Sequence, residues 1–212
     1  MLFHVQTYGS LSTRTATPGL ISLYDNIVAY SSQKDAIVYT FCMELVRPSI
    51  EYRDSFLEAV TEYRADSMPL RFDFDLAEND FARFAGELRK HAEGLHMPEG
   101  YVPETVYWLV DSGEYIGQVN IRHYLNDHLL QIGGHIGYDI RPSKRNRGYG
   151  TAQLQLVLPK AKELGIARAL VTCDVTNVGS QKIIERAGGI LENQVPNPDT
   201  GIDKLRFWIP IV

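Results

Sequence analysis

Asp139-Ile140-Arg141-Pro142-Ser143-Lys144-Arg145-Asn146-Arg147-Gly148-Tyr149-Gly150-Thr151 is the stretch on which the reading of this chain turns. It leaves an apolar run, His135 to Ile140, crosses a basic loop with two glycines, and enters a helical pattern from about Gly148 to Leu164. The first N–H groups of a helix have no intrahelical partner, and the helix dipole favours an anion there. Glycine lets the backbone approach a ligand that a Cβ would push away. Arg141, Lys144, Arg145 and Arg147 bring positive charge to the same place. The stretch therefore reads as a phosphate cradle, and its surroundings decide which phosphate.

Downstream, Ala167 to Asp174 is an uninterrupted apolar strand, the pattern of burial on both faces. Val178 to Ala187 is a short helix ended by Gly188-Gly189, and Ile190 to Gln194 and Lys204 to Pro210 read as two last strands. Upstream, Leu129 to Ile140 reads as a strand interrupted by Gly133-Gly134, a bulge by this pattern. Val106 to Val110 and Tyr115 to His123 are strands about the turn Asp111-Ser112-Gly113-Glu114. Before them the spacing predicts a helix after Ser49, with Phe56, Val60 and Tyr63 on one face, and a second from about Asn79 to Glu93. Met43 opens the first strand. Residues 1–42 hold only short apolar patches between Ser, Thr, Gly and Pro, so the functional domain is expected over 43–212, with 1–42 an extension.

The chain has 212 residues, 44% hydrophobic and 22% charged, which suits one domain with a real core. A net charge of −5 argues against general nucleic-acid binding, and a basic loop that is only local fits a small anionic ligand. Cys42 and Cys173 form neither a disulfide framework nor a metal-ligand spacing, so no metal is expected and the cytoplasm is the expected compartment. No run of about 18 apolar residues is present, so no membrane span is expected. A dinucleotide fold needs a third glycine where Gln153 stands, and a Walker loop needs Gly-Lys-Ser/Thr, which is missing.

Arg145-Asn146-Arg147-Gly148-Tyr149-Gly150 resembles the acetyl-CoA loop of the GCN5-related N-acetyltransferase superfamily, whose signature is Gln/Arg-x-x-Gly-x-Gly/Ala. Asn177-Val178-Gly179-Ser180 resembles that family's Asn-x-x-Ser/Ala element, and the order of elements from Met43 to Val212 is similar throughout. The Ile136-Gly137-Tyr138 run looks most like the ribosomal-protein N-terminal acetyltransferase subgroup. The resemblance implies an α/β (α+β) acyl-CoA N-acyltransferase fold, a mixed central sheet of about six to seven strands with helices on both faces. It implies acetyl-CoA as co-substrate and no metal. Backbone N–H groups from Arg145 to Thr151 (Arg145, Asn146, Arg147, Gly148, Tyr149, Gly150, Thr151) would hold the pyrophosphate. Tyr138 to Ile140 would pair with the pantetheine arm, and Asn177 would contact that arm or the thioester region.

Acetyl transfer to an amine needs a neutral nitrogen and a stabilised carbonyl oxygen. An amine of pKa ~10.4 is mostly charged at pH 7, and removing its proton costs roughly 4.6 kcal/mol. His135 stands where related enzymes often carry a glutamate that orders or deprotonates the amine, and an ordinary pKa of about 6.5 suits it to the role of base. A bulge at Gly133-Gly134 would free N–H groups for the oxygen. Many relatives have a tyrosine seven residues after the asparagine as acid toward the thiolate. Here that position is Ile184, so Ser180, Tyr138 and Tyr149 are the alternatives, or no acid is used. Cys173 reads as a packed strand residue. The acceptor, an amine on a small molecule or peptide, is expected against residues 66–103, where Asp73, Asp75, Glu99 and Glu104 could attract it, with Asn120 and Arg122 also facing it. A homodimer is compatible with this reading, nucleic-acid and membrane partners are not. Two alternatives stand beside the enzyme: a non-catalytic acyl-CoA-binding module of the same fold, and a nucleotide-dependent oxidoreductase.

Overall fold

In a computed structural model of the chain, the residues described are 27–28, 41–66 and 73–211. The chain divides into two compact units, Met1–Phe41 and Cys42–Val212. Of the first, the structure describes a two-residue strand, β1 (Ile27–Val28), and Phe41. The expected extension 1–42 thus lies almost wholly outside the described residues.

The second unit is built on β2 (Phe41–Val46), β3 (Glu104–Asp111), β4 (Glu114–Arg122) and β5 (Ile136–Ile140), which pair antiparallel in that order. Alternate residues of an antiparallel strand face opposite sides, so β3 and β4 show two different faces. One face, with Val106, Trp108 and Val110, is covered by α1 (Arg53–Ala65), α2 (Phe74–Asn79) and α3 (Phe81–Lys90). Phe56, Ala59, Val60 and Tyr63 form the buried stripe of α1, at the spacing expected from the sequence. Phe56 lies at the centre, stacked on Trp108 at 4.9 Å and edge-on to Phe81 and Tyr115. The helix expected over 79–93 is α3 followed by a 3-10 turn at His91–Glu93, and α2 precedes it as a short helix not expected from the sequence. Asp73 and Asp80 each accept from the backbone N–H three residues on, which starts α2 and then α3, and Asp80 itself has extended backbone.

The other face is covered by α4 (Tyr149–Glu163) and carries a second core, in which Leu154, Val157 and Ala161 meet Val119, Ile121 and Ile136. This core continues through β6 (Arg168–Asp174), α5 (Val178–Arg186) and β8 (Lys204–Pro210), while β7 (Ile190–Val195) is an exposed edge strand. β6, β8 and β7 pair antiparallel in that order as a sheet of their own. Helices cover both faces, as expected, but the strands β2 to β8 divide into two sheets rather than one.

The two sheets meet at one point. His135 donates its backbone N–H to Leu170 O at 2.7 Å, and Leu170 returns its own N–H to Nδ1 of the His135 ring at 3.0 Å. Gly134 makes this approach feasible: its φ is +69°, and a Cβ there would lie 2.7 Å from Leu170 O. Beyond His135 no ladder joins β5 to β6, and the sheets part. The strand expected from Leu129 begins only at Ile136, because Leu129–Gly133 winds into one π-helical turn. Gly134 N–H closes that turn on Leu129 O at 2.6 Å.

Candidate active site

The parting of β5 from β6 opens a cleft of about 570 Å3 between the starts of α4 and α5. Tyr138, Ile140, Arg145, Asn146, Gly150, Asn177 and Ser180 line it, so the sequence-predicted set largely converges there. Arg147, Gly148, Tyr149 and Thr151 belong to the same loop and helix start without lining the cleft. Gly148, with φ +87°, lets the chain turn into α4, whose N-terminus has no side-chain cap. The N–H groups of Tyr149, Gly150 and Thr151 precede the first helical bond, Ala152 N–H to Gly148 O, and are the donors such an end offers an anion. Gly150 also has a packing reason: a Cβ on it would lie 2.6 Å from Cδ1 of Ile183 on α5.

β5 supplies a second row of backbone groups. Arg122 N–H bonds to His135 O and Arg141 N–H to Ile116 O, which sets the phase of the ladder with β4. In that phase Gly137 and Asp139 face β4, while Ile136, Tyr138 and Ile140 turn their N–H and C=O groups toward the gap. Ile140 O already accepts from Arg145 Nε at 3.1 Å.

The cations of the loop have separate duties. Arg141 is buried, not directed at the cleft. Its guanidinium donates to Glu62 Oε1 at 2.9 and 2.5 Å, to Glu114 at 3.2 Å and to the Tyr115 carbonyl at 3.3 Å. Glu62 also accepts from Ser143 N–H and Oγ–H, each at 2.8 Å, so one carboxylate on α1 fixes the loop's entrance. Burial pushes the Glu62 carboxyl upward, but the bonds from Arg141 and Ser143 outweigh this and hold it below the usual carboxylate range. Lys144 pairs with Glu114 at 2.5 Å, and Arg145 with Asp66 at 2.8 Å. Arg147 is exposed. Glu62 was not legible in advance, since nothing local marks a helix glutamate that meets its partner 79 residues later.

Of the expected proton carriers, Tyr138 and Ser180 come together: Tyr138 Oη and Ser180 Oγ are 2.7 Å apart in the cleft. Burial, only partly offset by Ser180, pushes the Tyr138 phenol up to about 12, so it stays protonated at neutral pH. Tyr149 instead donates to Asp111 at 2.6 Å, away from the cleft, and Ile184 is fully buried in the core. Asn177 caps α5 by accepting from Ser180 N–H at 2.9 Å. Cys173 is buried, and burial pushes its thiol up to about 11.

His135 lines neither this cleft nor the second cavity described next. Because Nδ1 accepts from Leu170, the neutral ring carries its proton on Nε2, and no basic lone pair is left over. Burial, and then Arg122, lower its pKa to about 4. The N–H groups of Gly134 and His135 are spent on Leu129 and Leu170, so the glycine pair does not release them for a developing oxyanion. With the folded value below the ordinary 6.5, the unfolded chain binds the proton more readily between about pH 4 and 6.5. Stability should therefore fall as pH is lowered across that window. A His135→Asn variant, melted in parallel from pH 7 to 4, is expected to show a shallower decline than the parent. Equal slopes would refute this.

A second cavity, of about 660 Å3, lies over the helical-layer face of β4, between α3, the loop before β3 and the turn before β5. Glu99, Glu104, Asn120 and Arg122, all named from sequence, line it together with Gln118 and His91. Asp73 and Asp75 are not among its lining, Asp73 being spent as the cap of α2. The two cavities approach each other across one step of the β4–β5 ladder, since Gln118 lines one and its register partner Asp139 lines the other. Among the described residues there is no cluster of three metal-ligating side chains and no helix long and apolar enough to cross a membrane.

Comparison with known proteins agrees with this architecture. The family described as Acetyltransferase (GNAT) domain matches residues 50–190. A curated relative, the uncharacterized N-acetyltransferase YnaD of Bacillus subtilis (strain 168), is 23% identical over 167 residues, covering 75% of this chain and 89% of its own. Among solved structures, the microcin C7 self-immunity acetyltransferase MccE, in complex with acetyl-CoA and AMP, superposes with a TM-score of 0.59 at 15% identity, covering 80% of this chain and 92% of that one. The Salmonella typhimurium acetyl transferase that modifies the N-terminal serine of ribosomal protein L7/L12 does so with a TM-score of 0.57 at 17% identity, covering 80% and 95%. These structural likenesses are likenesses of fold.

Proposed function

The chain belongs to the acetyltransferase (GNAT) domain family, and from that membership we propose that it transfers the acetyl group of acetyl-CoA directly to a primary amine. It is an N-acetyltransferase by family. One observation carries it. The cleft between β5 and β6 has an uncapped helix N-terminus at one end and outward-facing β5 backbone groups along one wall. A pyrophosphate bearing a long amide-containing arm matches that sequence of donors and acceptors, because anions suit a helix start and amides suit an open strand edge. The arm would lie against Tyr138 and Ile140, the phosphates against Arg145, Asn146 and the start of α4, and the thioester toward His135. MccE and the uncapped cleft together support acetyl-CoA as the donor, since MccE was solved with it. The Tyr138–Ser180 pair suits a hydrogen-bond donor to the departing thiolate, and a thiolate of pKa ~8.5 needs little more. His135 we assign to positioning: it ties the two sheets where the cleft closes.

Gly150→Leu tests the cofactor reading. Its side chain would enter the space held by Ile183 at the start of α4. The parent should melt several degrees higher with acetyl-CoA or CoA and unchanged with NAD, and the variant should lose that response. A parent indifferent to acetyl-CoA, or one raised equally by NAD, would overturn it.

A further inference from the structure

The second cavity has a floor whose polar atoms are oriented by partners that allow only one arrangement. Gln118 and Asn120 project from β4 into it, and each is more than nine-tenths buried. The Trp108 indole can only donate, and its bond to Gln118 Oε1 at 3.0 Å fixes that amide's oxygen away from the cavity and its NH2 toward it. The Glu104 carboxylate can only accept, so Asn120 meets it at 2.5 Å through Nδ2 and offers Oδ1 on the other side. The other carboxylate oxygen, Glu104 Oε1, stands 4.0 Å from Nδ1 of His91, a buried ring nitrogen without a hydrogen-bond partner. Arg122 lies 3.9 Å from Glu104, and its Nη1 is committed to the carbonyls of Gly133 and Gly134 at 2.9 Å each.

Building on the acetyl-CoA reading, we propose that this cavity is the acceptor site, that Glu104 binds and deprotonates the amine, and that the substrate class is a primary ammonium without an adjacent carboxylate. An ammonium brings three donors, and Glu104 with Asn120 Oδ1 presents acceptors side by side. The cavity holds two carboxylates, Glu99 and Glu104, against one guanidinium that is already engaged with backbone. A monocation balances that charge; a zwitterion adds a carboxylate to it. The site is also placed for reaction. Asn120 is the register partner of Gly137, which carries no side chain on this face, and Gln118 that of Asp139 in the cofactor cleft. Paired residues of such a ladder are about 5.5 Å apart at Cα, so an amine over Asn120 is one ladder step from a thioester against β5.

The ammonium gives one proton to Glu104, which passes it to solvent, and the nitrogen lone pair forms the C–N bond to the thioester carbonyl carbon. The C–S bond breaks with its electron pair on sulfur, and the second amine proton ends on the thiolate. The products are the acetamide, free CoA and one released proton.

The test measures thiol release by the full chain saturated with acetyl-CoA, offered 2-phenylethylamine, phenylalaninamide and phenylalanine. The first two are expected to exceed phenylalanine at least tenfold in kcat/KM. Glu104→Gln should lower kcat at least 100-fold, in line with loss of a general base, while the acetyl-CoA melting shift is retained. Glu104→Asp, which keeps a carboxylate, should recover at least tenfold over the Gln variant, and this distinguishes a chemical role from a folding defect. Equal use of phenylalanine, a Gln variant within threefold of the parent, an Asp variant no better than the Gln one, or no turnover with any amine would overturn the proposal while leaving acetyl-CoA binding intact. Loss of the parent's acetyl-CoA shift would instead bring down the cofactor reading, and this one with it.

Discussion

Glu62→Ala is expected to remove about 3 kcal/mol of folding stability and to weaken acetyl-CoA binding in the same stroke. Arg141 is 4% exposed, and Glu62 is the carboxylate that takes two of its donors. Without it the buried guanidinium keeps Glu114 at 3.2 Å and Glu58 at 3.8 Å but loses its main partner, and stripping a buried charge of its principal partner is among the costlier defects a single substitution can make. For a chain of this size that corresponds to a fall in Tm of roughly 6–12 °C. The Ser143 bonds to Glu62 go with it, so the entrance to the cradle loosens and the CoA response should shrink beyond what the stability loss alone explains. The pH dependence follows from the lowered carboxyl. Its stabilisation is complete above the ordinary carboxylate pKa and is lost as pH falls through the lower folded value, so the penalty of Glu62→Ala should narrow in acid. Urea denaturation of parent and variant at pH 7 and pH 3.5 measures both. A difference under about 0.5 kcal/mol at pH 7, the range of ordinary surface substitutions, would refute the role given to Glu62.

Gly117→Val should be worse. Gly117 pairs with Ile140 in the β4–β5 ladder, and a Cβ on it would lie 2.2 Å from the Asp139 carbonyl oxygen and 3.0 Å from the Ile140 Cα. Both obstacles are backbone, so no side chain can turn aside. The strands must separate, and a loss of about 4 kcal/mol or more is expected, the upper tail for one substitution. Asp139 and Ile140 also line the cofactor cleft, so whatever folds should no longer respond to acetyl-CoA. Gly113→Ala provides the contrast: that glycine sits in the β3–β4 turn at φ +81° with nothing within 4 Å of the added carbon, so it pays only about 1 kcal/mol of backbone strain. Melting curves that rank Gly113→Ala below Gly117→Val would overturn the steric argument.

The cradle was legible because its signals are local: two glycines, a run of cations and a change of period at Gly148. The element order was legible for the same reason. The short helix α2 was missed although Asp73 carries the cap chemistry, because six residues are too few to show a helical period, whereas Phe81, Phe84 and Leu88 mark α3 by themselves. The π-helical turn was missed because Leu129 to Ile132 is apolar and adjoins a true strand; only its closure on Gly134 distinguishes it. Arg141 read like its neighbours Lys144, Arg145 and Arg147, and nothing in the loop shows that it alone turns inward to a carboxylate on α1. His135 reads as a base because of its place after the glycines and its ordinary pKa, and this does not hold: the tautomer that Leu170 imposes on it is a tertiary fact that no local signal shows. Glu104, Asn120 and Arg122 were each named, while their meeting on one floor with Gln118 depended on the β3–β4 register.

The open row of β5 has a consequence for how such a chain can change. The donor side of the reaction is written mostly in main-chain atoms, the outward groups of Tyr138 and Ile140 and the first amides of α4, which every residue type except proline carries. Side-chain replacement there alters little of what is recognised, unless it breaks the backbone itself as at Gly117 or Gly150. The acceptor side is written in side chains: Glu104, Gln118, Asn120 and the loop that carries Glu99. One half of the molecule is thus a fixed socket and the other an editable one, so a handful of substitutions around β3 and β4 could redirect the transfer to a new amine without disturbing the seat of the acetyl donor.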